Sequence, residues 1–195
     1  MTEYKAVVIG VSAGGMDALT GLFSCLPQEF PLPMVVVQHL HSTQDGYMFE
    51  HFNRKCALTV KEADEKERIQ PGHIYFAPPG YHLLVERDET FSLSVDEKVN
   101  YARPSIDVLF VSAAHAWSHG LIGIILTGAN HDGAHGVCVI KEHGGLTIAQ
   151  DPATAEHPVM PKAAVDAGCV DRILGLEEIG AFLRDLTFSS TGVSL

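Results

Sequence analysis

No stretch of this 195-residue chain approaches the roughly 20 consecutive apolar residues that a membrane-spanning helix needs. The opening segment MTEYKAVVIG has no basic region followed by a long apolar one, so no secretory leader is expected. Positive charge is scarce: 13 Lys and Arg stand against 24 Asp and Glu, a formal net charge of −11. Proteins hold nucleic acid largely by neutralising phosphates with Lys and Arg. No basic cluster or basic–aromatic stripe makes up the deficit, so nucleic acid is not an expected partner. The four cysteines (Cys25, Cys56, Cys138 and Cys169) lie far apart with no C-x-x-C pair. Without a leader they read as reduced thiols of a cytoplasmic protein. Internal repeats, low-complexity tracts and linkers are missing as well.

What remains is the composition of an ordinary globular protein, 46% hydrophobic and 19% charged. The length predicts one domain over residues 1–195, with enough chain to bury a sizeable core.

Ala6–Val11 is a short, uninterrupted apolar run ending at a Gly- and Ser-containing turn, which predicts a strand buried on both faces. The turn opens a helix over MDALTGLFSCL, whose apolar residues recur every three or four positions. PMVVVQHL is a second buried strand, running into the polar loop HSTQDG, and residues 48–56 read as helical. From Leu58 to Val95 the segments LTVKEA, HIYFAPP, HLLVER and FSLSV are short and β-rich, predicting strands and hairpins, some of them antiparallel. Helical periodicity returns over IDVLFVSAAHAW, with Ser105 in N-cap position. LIGIIL is a third buried strand and ends at TGANHDG. The segments AHGVCVIKEHG, LTIAQD, PKAAVDAG, VDRIL and LEEIGAFLRDL then alternate helix and strand, and the tail FSSTGVSL is expected to fray. Alternation of this kind predicts an α/β protein: a three-layer, doubly wound, mainly parallel sheet with an antiparallel hairpin region near residues 58–95.

In such sheets ligands sit beyond the carboxyl ends of the strands. Ser12, His39 and Asp132 each follow a buried strand. Gly10–Gly14 satisfies G-x-S-x-G in a strand–turn–helix setting, which lifts a serine hydroxyl clear of a sheet. Free serine is a poor nucleophile and needs a base. His39 could supply it, and Asp132 could orient the imidazole. The chain order Ser…His…Asp differs from that of the α/β-hydrolases, so a lipase-like enzyme is disfavoured. A nucleotide-binding turn at Gly14-Gly15 is the competing reading. Against it, the stretch is neither G-x-G-x-x-G nor a P-loop. The pairs His115/His119 and His131/His135 have a spacing that suits a helix face, and His39/His41 one that suits a strand, but none forms H-E-x-x-H. They read as solvent-facing or core-satisfied histidines, and no metal is expected.

VVIGVSAGGMDAL, VVVQHLHS, VKEADEKERIQPGHIYFAPPGYHLLVE, VNYARPSIDVLF, GIILTGANHDGAHG and TIAQDPATAEHPVMPKAAVDAG resemble, in that order, the chemotaxis protein-glutamate methylesterases, the CheB catalytic domain family. The resemblance spans about residues 4–175. It implies a cofactor-free serine hydrolase acting on glutamyl γ-methyl esters of cytoplasmic chemoreceptor helices, with glutamine deamidation a further activity of many members. Ser12 takes the nucleophile position, His39 the base and Asp132 the orienter. The oxyanion would rest on backbone N–H groups, sought at Ala13 and Ala129. Relatives usually carry Met, Gly and Asn where this chain has Ala129, Asn130 and His131, and the best-known ones have Thr at Ala13. Typical members also carry an N-terminal receiver domain. The first strand here begins within ten residues of Met1, which implies a stand-alone form or a fragment. A separate receiver domain or histidine kinase is a further implied partner. A non-catalytic signalling module of the same fold that binds receptors is the alternative.

Overall fold

The computed structural model describes residues 4–39 and 47–190. Leu40, His41 and the loop HSTQDG therefore lie outside the described residues, so the His39/His41 pair is not seen whole. The chain runs β1 (Ala6–Val11), α1 (Gly15–Ser24), β2 (Met34–Gln38), α2 (Tyr47–Lys55), β3 (Thr59–Glu62), β4 (His73–Phe76), β5 (His82–Val85) and β6 (Phe91–Ser94). It continues as α3 (Ile106–Trp117), β7 (Leu121–Ile125), α4 (Ala134–Glu142), β8 (Leu146–Gln150), α5 (Val159–Asp166), β9 (Arg172–Leu174) and α6 (Leu176–Ser190).

Seven strands form one sheet in the order β3-β4-β2-β1-β7-β8-β9, and every pairing is parallel. β1 sits at the centre because all six of its residues are apolar or Gly and all are buried. Alternation along it feeds two cores. Val7, Ile9 and Val11 pack with Leu19, Leu22 and Phe23 of α1, Phe52 of α2 and Ile179 of α6. Ala6 and Val8 face the other way, towards Phe110 of α3, Ile140 of α4 and Met160 of α5. A strand covered on both faces must read as a continuous apolar run rather than alternate with polar residues, and this one does.

The region 58–95 divides in a way its sequence does not disclose. β3 and β4 join the main sheet in parallel, Thr59 opposite His73 and Met34 opposite Ile74. Only β5 and β6 form an antiparallel hairpin, turning at Glu86–Thr90 and lying on the α3 side of the sheet. Glu89 takes a positive φ of 63° in that turn. Short strands carry little directional information, since parallel and antiparallel pairs share one side-chain period. The last helix also runs further than expected, continuing through Phe188-Ser189-Ser190.

The cysteines need a correction. Cys25 and Cys56 are free thiols, but Cys138 and Cys169 are joined in a disulfide across a sequence separation of 31. Wide spacing in sequence misled because α4 and the turn after α5 lie against each other, with the two Cα atoms 4.9 Å apart. Closing a loop of this length removes denatured-state entropy worth about 3.7 kcal/mol. A double substitution to Ser, or a reductant, should lower the urea midpoint accordingly. A midpoint unmoved by reductant would mean that the two sulfurs do not pair in solution.

Candidate active site

The switch in strand order falls at β1: the chain after it builds outward first on one side of the sheet, through β2, and later on the other, through β7. The carboxyl ends of these three strands are tied together by backbone bonds. Ser12 N–H donates to Thr127 O (3.0 Å), His39 N–H to Val11 O (3.1 Å) and Leu126 N–H to Gly10 O (2.9 Å). Ser12, His39 and Asp132 are thus brought to one edge by three adjacent strands of the core.

Turn chemistry then sets each side chain. Gly14, at φ 76°, is the N-cap of α1, and a Cβ there would meet Glu156 Oε2 at 2.8 Å and Thr127 Oγ1 at 3.1 Å. Gly133, at φ 96°, caps α4 directly after Asp132, and a Cβ would strike Ile125 and Ile106 at 2.5 and 2.7 Å. Both positions need a residue without a side chain.

Asp132 is the best-satisfied polar group here, its side chain fully buried. Oδ2 accepts from Ile106 N–H (2.7 Å) and His39 Nε2 (3.0 Å). Oδ1 accepts from Ser105 Oγ (2.9 Å), Asn100 Nδ2 (3.0 Å) and Asp107 N–H (3.2 Å). Two of these donors are the first N–H groups of α3, so Asp132 caps a helix from a distant loop. Ser105, expected to cap α3 through its own side chain, makes no capping bond and gives its hydroxyl to Asp132 instead. A carboxylate can serve so many donors only when ionised, and Nε2 of His39 must then carry a hydrogen.

Burial pushes the Asp132 carboxyl upward most strongly. The hydrogen bonds from His39, Asn100 and the N–H groups of Ile106 and Asp107 outweigh it and hold the group below the usual carboxylate range. A depressed folded pKa stabilises above the unfolded value of ~3.9 and is lost as pH falls through the folded one. Asp107 works against it: burial, aided by the Asp132 charge, raises its pKa despite bonds from Gly136 N–H and Asn100. Its contribution is fullest below ~3.9 and fades as pH rises. Urea midpoints measured from pH 7 down to pH 3 should therefore fall in acid, and fall less steeply in Asp132→Asn. Parallel profiles would mean that Asp132 is not the group being protonated.

The peptide geometry at the two expected backbone donors is set by their predecessors. Ser12 O accepts from Gly15 N–H (3.0 Å), and Gly128 O accepts from Met160 N–H (2.9 Å). A trans peptide sets N–H opposite C=O. The N–H of Ala13 is therefore turned away from α1, and that of Ala129 away from α5.

The CheB methylesterase family model matches residues 7–183. The chain belongs to this family. It is 52% identical over 183 residues to a Leptospira interrogans protein provisionally named protein-glutamate methylesterase/protein-glutamine glutaminase, covering 93% of this chain and 95% of that one. A Carboxydothermus hydrogenoformans protein-glutamate methylesterase/protein-glutamine glutaminase is 41% identical over 180 residues, 90% of this chain but 53% of the relative. The crystal structure of the Thermotoga maritima CheB methylesterase catalytic domain superposes with TM-score 0.89 at 35% identity, covering 94% of this chain and 99% of that one.

Within this CheB methylesterase fold, several neighbours of the site went unforeseen. Asn100, at φ 52°, donates to both Asp107 Oδ2 (2.8 Å) and Asp132 Oδ1 (3.0 Å). Asn130 approaches both Ser12 and His39: its Nδ2 lies 3.5 Å from Ser12 Oγ and 2.9 Å from His39 Nδ1. A polar side chain in the segment TGANHDG was the available signal. His131, by contrast, is exposed. His82 is a satisfied core histidine, bonded through Nδ1 to Ser105 N–H (3.2 Å) and through Nε2 to Glu97 O (3.0 Å). Among the described residues, no group of three or more His, Cys, Asp and Glu side chains is arranged to hold a metal ion. No helix among them is long and apolar enough to cross a membrane.

Proposed function

We propose that Ser12 is the nucleophile, His39 the base and Asp132 the orienting acid of a protein-glutamate methylesterase that also deamidates glutamine, the two activities its relatives are named for. The observation that carries this reading is the 3.0 Å pair between His39 Nε2 and buried Asp132, beside a serine raised on a G-x-S-x-G turn at the end of the next strand.

Ser12 Oγ attacks the γ-carbonyl of a methylated glutamyl residue and its proton passes to His39 Nδ1. The tetrahedral oxyanion rests on the N–H groups of Ala13 and Ala129. Collapse of the intermediate breaks the bond to methoxide, which leaves as methanol with the proton from Nδ1. Water then cleaves the glutamyl ester of Ser12 by the same route. No cofactor enters. Nε2 faces the acid, which leaves Nδ1 to take the Ser12 proton, the reverse of the usual Ser-His-Asp assignment. The roles need one nitrogen on each side, and either ring orientation supplies that.

The substrates are cytoplasmic chemoreceptor helices, and the chain acts in the cytoplasm as one catalytic domain, with a receiver domain or kinase as a separate partner. A purely receptor-binding role is not favoured, since the relatives are named as enzymes. The purified protein should release methanol from receptor membranes carrying isotope-labelled methyl esters. Tight receptor binding without methanol would turn the conclusion towards the binding module.

A further inference from the structure

The lone pair that should receive the Ser12 proton is already occupied. Asn130 Oδ1 accepts the Asp132 N–H at 3.0 Å, which fixes the amide, because a flipped amide would set its NH2 against another donor. The Asn130 NH2 therefore faces His39 Nδ1 at 2.9 Å, and an NH2 can only donate. With Nε2–H directed at Asp132 Oδ2, the ring is in the tautomer a base requires. Its accepting nitrogen, however, is bonded to Asn130 rather than to Ser12, whose hydroxyl lies 3.5 Å from the same NH2.

We propose that Asn130 is a positioning residue that keeps the site at rest: its NH2 caps Nδ1 of His39 in the free protein and must swing off before Ser12 can deliver its proton. This rests on the roles given above to Ser12 and His39. Once Nδ1 carries the Ser12 proton, two donors would face each other at that distance, so the amide cannot stay where it is. The residue is placed to leave, being half-buried and following exposed Ala129. The same contact has a useful side, because it holds the imidazole ready in one tautomer. One net hydrogen bond biases a population by roughly 2- to 10-fold, and only the uncapped fraction reacts, so kcat/KM is lowered by about that factor.

A fluorophosphonate ester reads the step without any receptor. Ser12 Oγ bonds to phosphorus, fluoride leaves, and the hydroxyl proton passes to Nδ1. Labelling of the intact chain, followed by mass spectrometry, should be roughly 2- to 10-fold faster in Asn130→Ala than in the wild type, with kcat/KM on a methyl ester rising alike. Asn130→Asp keeps an acceptor for the Asp132 N–H but sets a carboxylate against Nδ1. It should label more slowly, with the acid limb of its rate profile moved to higher pH, since a nearby negative charge favours the protonated ring. Equal or slower labelling of folded Asn130→Ala would overturn the proposal. If that variant does not fold, an unmoved acid limb in Asn130→Asp overturns it. Faster labelling without methanol release from receptors supports the resting contact and counts instead against the substrate proposed above. No labelling of any variant removes the nucleophile, and the resting contact with it.

Discussion

Ser12→Ala should release methanol from methylated receptors on the order of 10⁶ times more slowly in kcat than the wild type. A loss that large follows from what the hydroxyl does rather than from what it supports. Ser12 is only half-buried, and among the described residues its Oγ takes part in one hydrogen bond, accepting from Asn130 Nδ2 at 3.5 Å. The strand end is held by backbone bonds that alanine keeps, Ser12 N–H to Thr127 O and Ser12 O to Gly15 N–H. Stability should therefore stay within the ~0.5 kcal/mol expected of a substitution away from core or caps. Activity and stability separate at this position, so thermal melts and methanol release on one preparation suffice. A residual rate within a factor of ten of the wild type would make Ser12 a turn residue and end the serine-hydrolase mechanism.

Asp132→Ala should fail on both counts together. Removing the orienting acid of such a triad costs on the order of 10⁴ in kcat. Here the same truncation strips an acceptor from Ile106 N–H, Asp107 N–H and Ser105 Oγ. Each buried donor left unsatisfied costs about 1–3 kcal/mol, and truncating one partner of a buried pair costs about 3–5 kcal/mol. A loss of several kcal/mol is a large share of the total stability of a domain this size. Asp132→Asn tells the two effects apart. Its carbonyl oxygen can still receive one α3 N–H, so much of the stability should return while turnover stays low. Full activity in Asp132→Asn would leave Asp132 a helix cap and nothing more.

The layout of the sheet is largely legible in the sequence because buried parallel strands announce themselves. AVVIGV, MVVVQ and LIGII have no polar residue to place on a wet face, except the Gln38 that ends β2. Ser12, His39 and Asp132 are legible for the same reason, each following such a run. The strands between residues 58 and 95 are less so, because four-residue segments cannot state whether a neighbour runs with them or against them. The surroundings of Asp132 are hidden for another reason. Asn100, Ser105 and Asn130 come from loops, and what they bond depends on where distant turns place a carboxylate and an imidazole. Ser105 shows the difficulty, since its local signal for a helix cap is correct in kind while the bond goes 27 residues further along the chain. Cys138 and Cys169 show it as well, for only packing brings α4 to the turn after α5.

The three central strand ends that frame Ser12, His39 and Asp132 are held by the sheet itself: Ser12 and His39 directly follow β1 and β2, and the loop that carries Asp132 is tied to β1 where it leaves β7, through Leu126 and Thr127. Amide hydrogens of such strands exchange with solvent only when the whole domain opens. The frame of the site should share that slow exchange, and heat should not erode it ahead of the fold. Inactivation and global unfolding would then follow one curve, and any earlier loss of turnover would have to come from the rim.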